Sequence, residues 1–367
     1  MRYSLSPKAA LLLAGLLTFV MMGAGQSLYG PSLPVFSRLF GLSLAEAGTI
    51  VSAQWIGSAC GVAAMILTRG RLGPRVALAL MAAGATALAL QAAWGLMLAA
   101  SVIFGAGYGI SASVFNPRVM RAFGARGPAM VSLLNAMFAA GAILAPLAFV
   151  AIGSDPRLAF ATVAALCALI ALASGREGDP AQEAAAHANQ PYRFGGLSLG
   201  FVLFGVAAEA CLIGLGPAAL VRAGLAEVTA ARLLSAFFVA FLIGRIVLVF
   251  VNTLVPPFAV YIGAMILTAA CMFAGSVLPP GPFYVLTGLS AGCFFPTAYV
   301  MATRVMGDHA NVAPTILSAG LAGGITSPLL AGWAMAALGD RGFFVVLAVF
   351  ATLVTLGALA LRRRLAA

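Results

Sequence analysis

Apolar residues fill this chain in blocks of about twenty, and the breaks between blocks are short clusters of Arg, Gly and Pro. An α-helix rises ~1.5 Å per residue, so a block of about 20 residues crosses the ~30 Å hydrocarbon layer of a bilayer. The pattern predicts six spans in the first half: Ala9 to Tyr29, Ser43 to Leu67, Val76 to Met97, Ala99 to Arg121, Ala129 to Ile152 and Leu158 to Ala173. Six more follow: Gly196 to Leu220, Thr229 to Val251, Phe258 to Val277, Phe283 to Met306, Ala313 to Leu338 and Phe343 to Leu361. Between the two sets lies the longest polar stretch, with Arg176, Glu177, Asp179, Glu183 and Arg193. It reads as a solvated linker. The predicted organisation is an N-terminal six-helix bundle over residues 1–174, a cytoplasmic linker over 175–194 and a C-terminal six-helix bundle over 195–367.

Composition makes the membrane reading firm. Hydrophobic residues are 63% of the chain, charged residues only 8%, and the mean hydropathy is +1.08. Soluble domains are roughly a quarter charged, so the expected class is an all-α membrane protein. The net charge of +11 comes from nineteen Arg and one Lys set at the ends of apolar blocks, not gathered on one face as nucleic acid requires. Assigned to alternate sides, the basic residues divide fourteen to five, with Arg245 left inside a span. This bias puts both termini and the linker in the cytoplasm of a bacterial-type inner (plasma) membrane. Arg2 and Lys8 ahead of an apolar run resemble a signal peptide, but the many later spans favour an uncleaved first helix. Cys60, Cys167, Cys211, Cys271 and Cys293 lack metal-knuckle or CxxC spacing, and His187 and His309 stand far apart in predicted loops. Neither a metal site nor a cofactor is expected.

The two halves repeat. The spacing Gly105, Arg121, Gly124 recurs as Gly288, Arg304, Gly307, with Pro146 and Pro328 following at near-equal distances. Two six-helix bundles joined by a cytoplasmic linker resemble the major facilitator superfamily over essentially the whole chain. Gly70-Arg71-Leu72-Gly73-Pro74-Arg75 corresponds to the family's loop signature, with Gly70 where the family has an acid. Several stretches are similar to the fucose, galactose and glucose proton symporter group: Gly105-Ala106-Gly107-Tyr108-Gly109 leading to Asn116, Asn135 to Pro146, Ala208-Glu209 with Gly244-Arg245, and Phe295-Pro296-Thr297. That group's acids in its first and fourth helices are missing here.

Glu209 sits about halfway along the seventh predicted span. An ionised carboxylate at a helix centre costs roughly 2.5–3.5 kcal/mol, so it is expected to be paired, protonated or lining a wet cavity. Two readings stay open: a proton-coupling or substrate-binding acid, or a buried partner of Arg245. Arg245 is either that partner or a guanidinium holding an anionic solute. Gln26 and Tyr29 share a face of the first helix at i and i+3. The resemblance implies a central cavity lined by the first, fourth, seventh and tenth helices, which adds Tyr108, Ser111, Phe294 and Tyr299 to the substrate candidates. Phe294 and Tyr299 are equally expected as packing residues. Arg121 and Arg304 are gate candidates. The glycines of 105–109 and 320–324 follow no strand and lack a Lys-Ser/Thr tail, so they read as helix-packing surfaces rather than phosphate loops.

The function this implies is secondary active transport of a small solute, sugar-like or another small organic molecule, by alternating access, with Glu209 as the proton-coupling candidate. The expected partners are that solute, membrane lipids and protons, in a monomer that binds no nucleic acid. Export of amphiphilic compounds and exchange of organic anions at Arg245 are alternatives within transport. A receptor or scaffold on a carrier fold is the alternative from another class. A single Glu and a single Arg do not make a membrane enzyme.

Overall fold

The computed structural model describes residues 7–68, 70–174, 193–251, 254–307 and 312–365. His187, His309 and almost all of the expected linker lie outside these residues. The described chain contains thirteen α-helices, one 3-10 turn over Gly124–Arg126 and no strand. The helices are α1 (Pro7–Phe40), α2 (Leu44–Leu67), α3 (Pro74–Leu90), α4 (Trp94–Phe123), α5 (Gly127–Ala151), α6 (Pro156–Ala173), α7 (Gly196–Gly214), α8 (Gly216–Arg222), α9 (Glu227–Val251), α10 (Pro257–Val277), α11 (Pro280–Met306), α12 (Val312–Leu338) and α13 (Gly342–Leu365). Eleven of them are long and apolar enough to cross a membrane, and α3 is a shorter apolar helix.

Local chemistry sets the helix starts. Ser43 and Glu46 form a reciprocal capping box at the head of α2: the Ser43 amide donates to the Glu46 carboxylate at 2.8 Å, and the Glu46 amide donates to Ser43 Oγ at 3.2 Å. Asp155 caps α6 by accepting the Arg157 amide. Proline opens α3, α6, α10 and α11, where no intrahelical donor is needed.

Three departures from the predicted spans have local causes. The first span does not stop near Tyr29; α1 continues through Pro31 and Pro34 to Phe40, since neighbouring helices can satisfy the carbonyls a proline frees. The third and fourth spans part at residues 91–93, where Gln91 takes a left-handed turn (φ 50°), and not near residue 98. No glycine or proline marks that turn in the sequence. The seventh span is two helices, α7 and α8, broken at Leu215. Pro217 supplies no amide to the helix, and its ring displaces the carbonyl four residues earlier. Beside the break the buried Tyr284 hydroxyl donates to the Leu212 carbonyl at 2.9 Å.

By contacts the chain divides into two compact units, Met1–Ser32 with Ala53–Gln182, and Leu33–Ser52 with Glu183–Ala367. The boundary therefore cuts through α1 and α2. In the first unit α2 crosses α4 nearly backbone to backbone. Gly105 meets the Gln54 carbonyl, Gly109 the Ser58 carbonyl, and Gly61 the Ala106 carbonyl. In the second unit α9 crosses α11 through Gly288 on Phe237, Gly292 on Phe241, and Gly244 on Leu289. Every pair has moved by the same 183 positions (105 to 288, 54 to 237). The same shift carries Gly124 to Gly307; each ends its helix at positive φ, 52° and 84°, a conformation glycine adopts without strain. It also carries the Ser101–Tyr29 hydrogen bond, 3.0 Å, onto the Tyr284–Leu212 bond. The repeat seen in a few glycines and arginines is thus a repeat of helix-packing contacts.

Within the second unit, residues 33–52 pack on the C-terminal helices. Val51 meets Gly214, Leu215 meets Gly48, and Ala45 meets Gly332. Arg38, at the end of α1, holds Glu227, at the start of α9, with both prongs of its guanidinium, one of them at 3.1 Å.

Candidate functional site

The shift of 183 positions relates the two strongest polar candidates, because it carries Gln26 on α1 onto Glu209 on α7. Both sit mid-helix among small and apolar neighbours. Gln26 is buried, and its side-chain carbonyl oxygen finds no hydrogen-bond partner in the protein. Glu209 is half-buried, with Arg245 of α9 within electrostatic range. That guanidinium lies over the Phe241 ring, 4.5 Å from its centroid, and its charge also reaches Cys293. One unit thus presents an unsatisfied neutral amide where the other presents a carboxylate with a nearby cation.

The remaining candidates divide by environment. The Tyr29 hydroxyl accepts from Ser101, and its ring packs against Phe104 and Phe160, 6.4 and 5.6 Å between centroids, inside the first unit. Ser111 is buried with its hydroxyl toward Met81, 3.7 Å from the sulfur. Phe294 is fully buried beside Tyr261, which itself donates to the Phe201 carbonyl at 2.8 Å. Tyr108 and Tyr299 are half-buried, the first edge-on to Phe138 and the second against Phe295. Arg121 and Arg304 are exposed near the ends of α4 and α11, and Arg121 donates from Nε to the Pro117 carbonyl at 3.3 Å. Gly70 closes the turn after α2 with φ 73°, its amide on the Met65 carbonyl at 2.8 Å. An acid in its place would strain the backbone there.

Sequence reasoning missed Gln54. It is 1% exposed, and neither its amide nitrogen nor its oxygen has a hydrogen-bond partner in the protein. A lone Gln inside an apolar block was the available signal. Its backbone carbonyl meets Gly105 at the α2–α4 crossing. No group of three or more metal-ligating side chains occurs among the described residues.

A family model for the Major Facilitator Superfamily matches residues 15–318. The chain belongs to this superfamily. That places it among membrane transporters and not among enzymes. Solved structures of superfamily shape resemble it along their whole length. A variant of the nucleoside transporter NupG is 16% identical, with 96% of this chain and 99% of that chain covered and a TM-score of 0.76. A D-xylose-proton symporter is 15% identical, with coverage of 95% and 96% and a TM-score of 0.74. A variant of the E. coli fucose:proton symporter FucP is 18% identical, with coverage of 95% and 97% and a TM-score of 0.59. At these identities the likeness is one of fold. Comparison with curated protein sequences gives no match.

Proposed function

We propose that this protein is a proton-coupled secondary transporter of a small polar organic solute, working by alternating access in a bacterial-type inner membrane with both termini cytoplasmic. Twelve crossings result if α3 spans with help from its neighbours and α7 with α8 makes one broken path. The observation that carries the proposal is the repeat-equivalent pair Gln26 and Glu209. A carrier fold of two repeats places its functional polar groups near mid-membrane on corresponding helices. In this chain those positions hold an amide with an unsatisfied oxygen and a carboxylate within reach of one cation. Intramembrane ionisable groups of this kind mark ion and substrate pathways. Gln26 and Gln54 suit a ligand rich in hydroxyl or amide groups, because each offers a hydrogen-bonding group without a partner in the protein. Sugars and nucleosides, named for the similar structures, have that chemistry.

Purified protein in proteoliposomes tests this reading. A panel of labelled monosaccharides, nucleosides and organic anions is screened first for thermal stabilisation and then for uptake under an inward proton gradient. Accumulation of a neutral polyhydroxylated solute is expected. Gradient-independent exchange of organic anions would refute it in favour of recognition at Arg245.

A further inference from the structure

The outer surface of the first unit carries a groove between α3 and α6 that transport does not explain. It consists of two cavities of about 630 and 560 Å³ that share Ala82 and Ala168 and so run on from one to the other. The floor is mostly alanine, including Ala79, Ala82, Ala161 and Ala165, with leucines such as Leu158 and Leu172 beside them. An arginine closes each end: Arg75 lines one cavity and Arg157 the other. At 1.5 Å per residue, the sixteen steps from Arg75 to Gln91 span about 24 Å, close to the length of an extended acyl chain.

Both arginines are held by their Nε. Arg75 donates to the Ser174 carbonyl at 2.6 Å, and Arg157 donates to Gln91 Oε1 at 2.7 Å. This fixes each guanidinium plane and leaves the terminal amino groups of two exposed residues at the mouths of the groove. At the Arg157 end Gln91 is buried, so the oxygen that accepts from Arg157 holds the fork from the protein side. A guanidinium fork fixed through its Nε by Gln91, with its terminal amino groups at the mouth of the groove, calls for an acceptor carrying negative charge. Asp155 accepts the Arg157 backbone amide at 2.8 Å.

We propose that this groove binds an anionic phospholipid, its phosphate on the Arg157 fork and one acyl chain along the alanines toward Arg75. Charge complementarity selects this occupant over a second copy of the chain. A parallel two-fold pairing of the groove in one membrane would set Arg75 and Arg157 against their own counterparts.

The test uses the full-length protein in neutral detergent, with thermal unfolding and native mass spectrometry as readouts. Dioleoylphosphatidylglycerol is compared with dioleoylphosphatidylcholine and with inorganic phosphate. Phosphatidylglycerol should raise the midpoint and persist as an adduct, while the other two should do neither. Arg157→Gln and Gln91→Leu should each weaken phosphatidylglycerol binding at least tenfold. Ala165→Phe, at an exposed position, should fill the groove and abolish binding without lowering the lipid-free midpoint. Equal response to both lipids would overturn the proposal, as would stabilisation by phosphate alone or wild-type lipid binding by Ala165→Phe. A lipid-insensitive dimer that Ala165→Phe converts to monomer would assign the groove to self-association instead.

Discussion

Replacing Gly105 with alanine tests whether the α2–α4 crossing is as close as the repeat requires. The new methyl would enter the van der Waals shell of the Gln54 carbonyl oxygen and lie 3.0 Å from both the Gln54 carbonyl carbon and the Ser58 amide nitrogen. Ordinary contact begins at 3.4 Å, and all three atoms are backbone, so no side-chain rotation relieves the clash. The helices must part by at least ~0.4 Å, more at the oxygen, which loosens the neighbouring contacts of Gly57, Gly61 and Gly109. Overpacking of this kind costs about 1–3 kcal/mol, and alanine returns up to about 1 kcal/mol through helix propensity. Gly357→Ala is the internal control, because nothing lies within 4 Å of the added methyl. The propensity gain is common to both helical sites, so thermal unfolding in one detergent should place Gly105→Ala about 1–3 kcal/mol below Gly357→Ala. Gly288→Ala, the repeat equivalent, should behave like Gly105→Ala. Equal stability of Gly105→Ala and Gly357→Ala would refute the close-crossing argument.

The Arg38–Glu227 pair is exposed, with 62% and 30% of the two side chains accessible, so a double-mutant cycle should give a coupling below about 1 kcal/mol that vanishes in high salt. A coupling of several kcal/mol insensitive to salt would contradict this. Tyr284→Phe removes the hydroxyl from the Leu212 carbonyl beside the α7–α8 break and should lower stability by about 1–2 kcal/mol. An unchanged unfolding midpoint would show that the bond does not support the break.

The membrane class, the positions of most spans and the two-fold repeat were legible because each leaves a long-range mark: blocks about twenty residues long, and glycines at fixed separation. The break at Leu215 was not, because Pro217 sits inside an unbroken apolar run and reads as one more tolerated membrane proline. The turn at Gln91 was hidden for the opposite reason, since no breaker residue marks it. The site was half legible. Glu209, Gln26 and Arg245 stand out because polarity is rare in these helices. For Tyr29 the spacing gave only a helical face shared with Gln26, and for Phe294 the family resemblance left a cavity wall and helix packing as equal readings. Lipid and protein interior are equally apolar, so hydropathy alone does not tell which way an aromatic ring on such a helix points.

Glu209 is the coupling group of the proposed transporter, and Glu209→Gln tests this directly because glutamine mimics the protonated carboxyl. With the solute identified, wild-type and variant proteoliposomes are compared in two modes: accumulation driven by a pH gradient, and counterflow exchange at equal pH. Glu209→Gln is expected to lose accumulation and to retain counterflow. A stable Glu209→Gln protein that accumulates solute at the wild-type rate under the same gradient would contradict it.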